Sequence, residues 1–106
     1  MGVDPNVAII GAGPAGLMAA EVLLEKGIAV DIFEAKPTIG RKLLMAGKSG
    51  LNITHTENFK LFLSRFSTQF NTLENSIRSF TPTMLQQWTS NLGIETFEGS
   101  SKRVFP

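Results

Sequence analysis

The sequence predicts an α/β fold that opens on a strand–helix–strand unit with parallel strands, continues through helices and closes on a β-hairpin. Three observations carry this reading: a short apolar run at residues 7–10, a glycine cluster directly after it, and a helical period that gives way to a second β-branched run. Val7, Ala8, Ile9 and Ile10 are continuously apolar, the pattern of a strand buried on both faces of a parallel sheet. Residues 14–26 are good helix formers, with Leu17, Ala20, Leu23 and Leu24 on one face and Glu21, Glu25 and Lys26 on the other. Proline suits the first helical turn, and Gly27 stands where a left-handed cap belongs. Residues 28–34 form the second strand through Val30, Ile32 and Phe33, completing a βαβ unit.

Beyond Pro37 the glycines at 40, 47 and 50 punctuate a long loop, with a short helical turn at 41–45. Phe59, Phe62, Phe66, Phe70 and Leu73 recur at steps of three or four, which predicts one amphipathic helix with a core-facing aromatic stripe. Another helix starts at Thr81 as N-cap with Pro82 in the first position, runs through Met84, Leu85 and Trp88, and stops at Gly93. Residues 94–97 and 103–105 are the hairpin strands, joined by the polar turn 98–102.

Composition narrows the function classes. The 106 residues are 42% hydrophobic and 18% charged, with ten Lys and Arg against nine Asp and Glu for a net charge of +1. One surplus positive charge is no footprint for a nucleic-acid backbone or an anionic membrane. The chain has no cysteine, which removes disulfides, thiolate metal sites and redox thiols. The most apolar stretch, residues 7–24, is interrupted by Gly11, Gly13, Pro14 and Gly16, so neither a membrane span nor a signal peptide is expected, and the expected location is cytoplasmic.

The chemistry lies in the turn after the first strand. Gly11, Ala12, Gly13, Pro14, Ala15 and Gly16 spell G-x-G-x-x-G between a strand and a helix, the context that a dinucleotide-binding Rossmann-like turn requires. Gly11 allows the tight turn, Gly13 lets a pyrophosphate approach the backbone, and Gly16 lets helix and sheet pack closely. Glu34 follows eighteen residues after Gly16, at the end of the second strand, where its carboxylate can accept from a ribose 2′-hydroxyl and repel a 2′-phosphate. The pattern therefore favours FAD or NAD over NADP. Asp31 is read as a surface charge. Gly47-Lys48-Ser49 lacks the leading glycine of a P-loop, position 42 being Lys42, and Asn52-Ile53-Thr54 is a glycosylation sequon only in a secreted protein. His55, the sole histidine, is read as a loop residue, and Trp88 as core.

Residues 7–36 resemble the N-terminal FAD-binding fingerprint of flavoproteins with two dinucleotide-binding domains. Gly40-Arg41-Lys42-Leu43-Leu44, then Gly47, Asn52 and Thr54, and finally residues 99–106 resemble the bacterial BaiN-like family of NAD(P)/FAD-dependent oxidoreductases. The resemblance implies that the Gly11–Gly16 turn meets the FAD diphosphate and Glu34, with Ala35 beside it, the adenosine ribose. It implies further that Arg41, Lys42 and the 47–54 region, with Gly47, Asn52 and Thr54, surround the rest of the flavin; two solvated loop cations are the competing reading of Arg41 and Lys42. This chain departs from many relatives at Lys48, Gly50, Leu51 and His55, where they carry glycine, arginine, cysteine and asparagine, which suggests a sub-branch with a different flavin surround.

Family members are several times longer, so residues 1–106 are expected to be the N-terminal part of an FAD-binding domain on an incomplete parallel sheet, with later strands and the substrate domain absent. The expected parent is an oxidoreductase in which NAD(P)H reduces FAD and the flavin exchanges hydride with an organic substrate, and no catalytic acid or base can be assigned within this segment. The alternative is a scaffold or RNA-modifying flavoprotein that binds FAD or NAD without substrate redox turnover.

Overall fold

Two apolar segments that pair through their backbones build the first of two units, Met1–Lys48 and Ser49–Pro106. The computed structural model describes residues 6–47, 50–66 and 70–106. Strands β1 (Asn6–Ile10) and β2 (Ala29–Phe33) are parallel, with Val7 opposite Val30 and Ile9 opposite Ile32. The Gly11 N–H donates to the Phe33 carbonyl at 2.8 Å and carries the ladder past the end of β1. Helix α1 (Pro14–Glu25) makes the crossover, starting on Pro14 as expected. It ends in a Schellman cap: the Ile28 N–H donates to Leu23 O at 3.0 Å and the Gly27 N–H to Leu24 O at 2.9 Å, with Gly27 at φ +73°. The six-residue α2 (Arg41–Ala46) follows Gly40, which sits at φ +64°.

Two expectations about burial need correction. β1 is not buried on both faces: Val7 and Ile9 are half-buried, whereas Asn6, Ala8 and Ile10 are exposed, Ile10 by 82%. One helix shields one face of a sheet, and side chains alternate between faces. Leu24 is likewise 60% exposed, while Ala20 is buried and Leu17 and Leu23 are half-buried. At about 100° per residue Leu24 stays within about 40° of Ala20, on the same side of the helix. It stands in the last turn of α1, beside the cap, where the strands no longer cover that side.

The second unit holds the hairpin. β4 (Phe97–Glu98) and β5 (Arg103–Phe105) are antiparallel, and β3 (Thr54–His55) joins the other edge of β5 to give the order β3-β5-β4. His55 thus lies in a strand, not in a loop as expected. The first hairpin strand is shorter than predicted, because the Ile94 N–H is committed to Thr89 O at 2.9 Å in the cap of the preceding helix. At the turn the Lys102 N–H donates to Gly99 O at 3.0 Å and Lys102 takes φ +62°. Gly99 has no Cβ because one would sit 3.1 Å from the Phe105 ring, which stacks on Phe97 with centroids 5.5 Å apart.

The phenylalanine stripe is divided between α3 (Phe59–Ser64) and α4 (Phe70–Ser79) instead of forming one helix. Asn58 caps α3 by accepting from the Lys60 and Leu61 N–H groups. At its other end the N–H groups of Arg65 and Phe66 donate to Phe62 O and Leu63 O, three residues back, so the last turn tightens. Phe62 still packs between Phe59 and Phe66, at 6.4 and 5.5 Å, and the Arg78 guanidinium lies 5.7 Å over the Phe59 ring. Helix α5 (Pro82–Asn91) starts as read, with the Thr81 hydroxyl accepting from the Met84 N–H, and ends at Gly93, φ +81°. Trp88 is half-buried; Leu63, Thr89 and Val104 are the buried residues described in this unit, Val104 completely. Among the described residues no helix is long and apolar enough to cross a membrane.

Lys102 holds a left-handed conformation that costs an L-residue with a Cβ about 1 kcal/mol or more. Lys102→Gly is therefore expected to stabilise the fold by up to about 1 kcal/mol, read as a raised denaturation midpoint. The Arg65 guanidinium, bonded to both Glu57 oxygens at 2.5 and 2.6 Å, holds the Glu57 carboxyl below its ordinary range. A folded value below the unfolded one makes this pair stabilising above the ordinary carboxylate range, an effect lost as pH falls through the folded value. Glu57→Gln is expected to flatten that acid limb in a pH series of denaturation curves.

Candidate dinucleotide-binding site

A glycine-rich turn can hold an anion only if its backbone is held first, and here contacts from both sides do so. Gly11, at φ +101°, turns the chain out of β1. Gly16 lies against the same turn: a Cβ there would stand 2.1 Å from Gly11 O and 3.2 Å from the Ile9 side chain, so no other residue fits. Between them Ala12 is buried, 1% exposed, and both of its backbone groups are taken. Its N–H donates to Glu34 Oε2 at 3.0 Å, and its carbonyl accepts from the Gly40 N–H at 2.8 Å.

The far side of the turn is open. A Cβ on Gly13 would meet nothing within 4 Å. Gly13 is the N-cap of α1 and no side chain caps it; the first internal bond of the helix runs from the Leu17 N–H to Gly13 O at 2.9 Å. The N–H groups of Gly13, Ala15 and Gly16 are therefore left over at the positive end of the helix, with Pro14 contributing none. This is a cradle of anion donors, with open space at Gly13 among the described residues, the arrangement that suits a diphosphate.

The structure thus brings Gly11, Ala12, Gly13, Pro14, Ala15, Gly16 and Glu34 together. Glu34 is half-buried and spends one carboxylate oxygen on the turn, leaving Oε1 for a further donor, and Ala35 is exposed next to it. Arg41 and Lys42 are exposed in the first turn of α2, where the helix end disfavours cations. Of the other expected residues, Gly47 follows α2 in the first unit, whereas Asn52 and Thr54 belong to the second, Asn52 exposed and Thr54 paired with Val104. Lys48 and Ser49 lie outside the described residues. Asp31 is exposed and, among the described residues, accepts a long bond from Asn6, 3.5 Å. Sequence reasoning gave Gly40 no part in the turn; the visible signal was a glycine just ahead of a helical run, where an N–H that the helix does not use donates back to Ala12.

Fold and turn together define a Rossmann-type dinucleotide-binding domain. The chain belongs to the HI0933-like family: the model of the HI0933-like protein Rossmann domain matches residues 5–106. Among curated proteins it is 55% identical over 38 residues to "Putative oxidoreductase AegA" of Escherichia coli (strain K12), covering 36% of this chain and 6% of that protein. It is 34% identical over 82 residues to a thiamine thiazole synthase of Pyrobaculum aerophilum, covering 77% and 31%. A ribosomal RNA dihydrouridine synthase of Haemophilus influenzae is 47% identical over 49 residues, 46% of this chain and 12% of that protein. The chain spans less than a third of the length of each of these relatives.

Gly16→Ala is expected to destabilise the protein by about 1–3 kcal/mol, since backbone stands where the methyl would go. Gly13→Ala, with open space at that position, is expected to leave the denaturation midpoint nearly unchanged; equal losses in the two variants would contradict the close approach of Gly16 to Gly11.

Proposed function

We propose that this chain is the FAD-binding part of a cytoplasmic flavin-dependent oxidoreductase for which NAD(P)H is the electron donor. The observation that carries the reading is the cradle itself: donors of the first α1 turn facing open space at Gly13, on a turn that Glu34 and Gly40 hold rigid through Ala12. In this reading the amides of Gly13, Ala15 and Gly16 receive the diphosphate, with Gly11 and Pro14 shaping the turn. The free Glu34 oxygen accepts from the adenosine ribose, and the ionised carboxylate disfavours a 2′-phosphate. Ala35 lies beside the ribose. Arg41 and Lys42 offer charge to the phosphates or flavin, and Gly47, Asn52 and Thr54 border the rest of the cofactor. FAD, when bound, would supply the hydride chemistry; these residues bind and orient it.

A second reading follows from the relative named as a ribosomal RNA dihydrouridine synthase. The same flavin site would then serve an enzyme acting on RNA, whose RNA-binding surface would have to come from elsewhere, because this chain carries a net charge of only +1. Bleaching of the flavin by NADH or NADPH, followed by reoxidation with small organic acceptors, would favour the first reading. Reoxidation by unmodified ribosomal RNA, with dihydrouridine formed, would favour the second.

The purified intact protein is expected to show flavin absorbance with stoichiometric FAD. Gly13→Ala is expected to lose it while keeping the stability of the FAD-free wild-type protein. Glu34→Ala is expected to weaken FAD by about ten-fold or more, the worth of a charge-assisted hydrogen bond. Undiminished FAD affinity in both variants would overturn the assignment.

A further inference from the structure

A second cavity, of about 320 Å³, lies wholly in the second unit and owes nothing to the dinucleotide turn. Its position follows from strand register. His55 on β3 pairs directly with Arg103 on β5, and cross-strand partners project on the same face of a sheet. Opposite them stand Phe62, Arg65 and Phe66, spaced i, i+3 and i+4 and so on one side of α3 and its last turn. Among the described residues these five and Glu57 line the cavity.

The charges in this wall do not cancel. Glu57 is neutralised by Arg65, whose guanidinium takes both carboxylate oxygens in a fork, and its side chain is only 5% exposed. Arg103 is exposed and stands outside that pair, so its charge remains. His55 Nδ1 accepts from the Glu57 N–H at 3.2 Å, which leaves the proton of the neutral ring on Nε2 as a further donor. The apolar part of the wall is aromatic, two rings in edge-to-face contact with centroids 5.5 Å apart. A volume of about 320 Å³ is at the small end for ligand sites, enough for a single-ring molecule and too little for a dinucleotide.

We propose that this cavity binds a small aromatic carboxylate, its ring against Phe62 and Phe66 and its carboxylate on the Arg103 guanidinium, with His55 as a second donor. The single uncompensated charge fits a monoanion, and the planar fork of arginine matches a carboxylate. Offset or edge-on packing against the two phenylalanines selects a flat ring over an aliphatic body of the same size.

Benzoate is the probe. Titrated into the intact protein and followed by calorimetry and by the NMR resonances of Phe62 and Phe66, it is expected to bind saturably and shift both rings. Cyclohexanecarboxylate should bind more weakly, and acetate and benzamide more weakly still, since each lacks one of the two recognised features. Arg103→Gln is expected to weaken benzoate by about ten-fold or more, with Arg103→Lys intermediate because it keeps the charge without the fork. Absence of saturable benzoate binding to the folded wild-type protein would overturn the proposal. So would acetate binding as tightly as benzoate, or an Arg103→Gln variant with wild-type stability and unchanged affinity.

Discussion

The contact on which the first unit depends is the approach of Gly16 to the carbonyl of Gly11. It brings the start of α1 down onto the end of β1, and only a residue without a side chain permits it. Once the helix is seated there, its unpaired N–H groups come to the mouth of the turn and its axis adds a positive end to the same place. Ala12 then becomes the pivot. Its buried amide is held by Glu34 from the end of β2, and its carbonyl by Gly40 from the start of α2. Two segments distant in sequence thus converge on one peptide unit, and the geometry of the open cradle is decided by groups that need not touch a ligand.

Glu34 illustrates how one side chain can answer two demands. A half-buried carboxylate carries a desolvation cost that hydrogen bonds offset, and the Ala12 amide supplies one. A carboxylate has room for more donors, so the bond to the turn does not exhaust it. The acid would therefore steady the turn before any dinucleotide arrives, and preorganisation of this kind lowers the ordering cost of binding.

Most of the first unit was legible because local signals agree there: strand run, glycine turn, Pro14 at the helix start, Gly27 at its end, and the acid after the second strand all point one way. What escaped depends on distance along the chain. The Gly40 to Ala12 bond spans a long separation and uses only backbone, so no side-chain pattern records it. In the second unit the phenylalanine spacing is compatible with one helix, and only the tightened bonds after Phe62 show where α3 stops. His55 looked like a loop residue because two residues are too few to show a strand period; β3 exists through its pairing with β5. The exposure of Ile10 and Leu24 was hidden for a related reason, since an apolar run says that a segment can be covered and not which face a neighbour covers.

Holding both ends of the segment between Glu34 and Gly40 on Ala12 has a practical side. Residues 35–39 are all exposed, and they leave and re-enter the fold at one anchored point. Lengthening such a closed excursion costs only slowly growing entropy. Past Ala35, residues 36–39 are accordingly the natural place on this unit for an inserted epitope or a fluorescent label, because extra chain there would billow outward while the peptide plane beneath stays pinned.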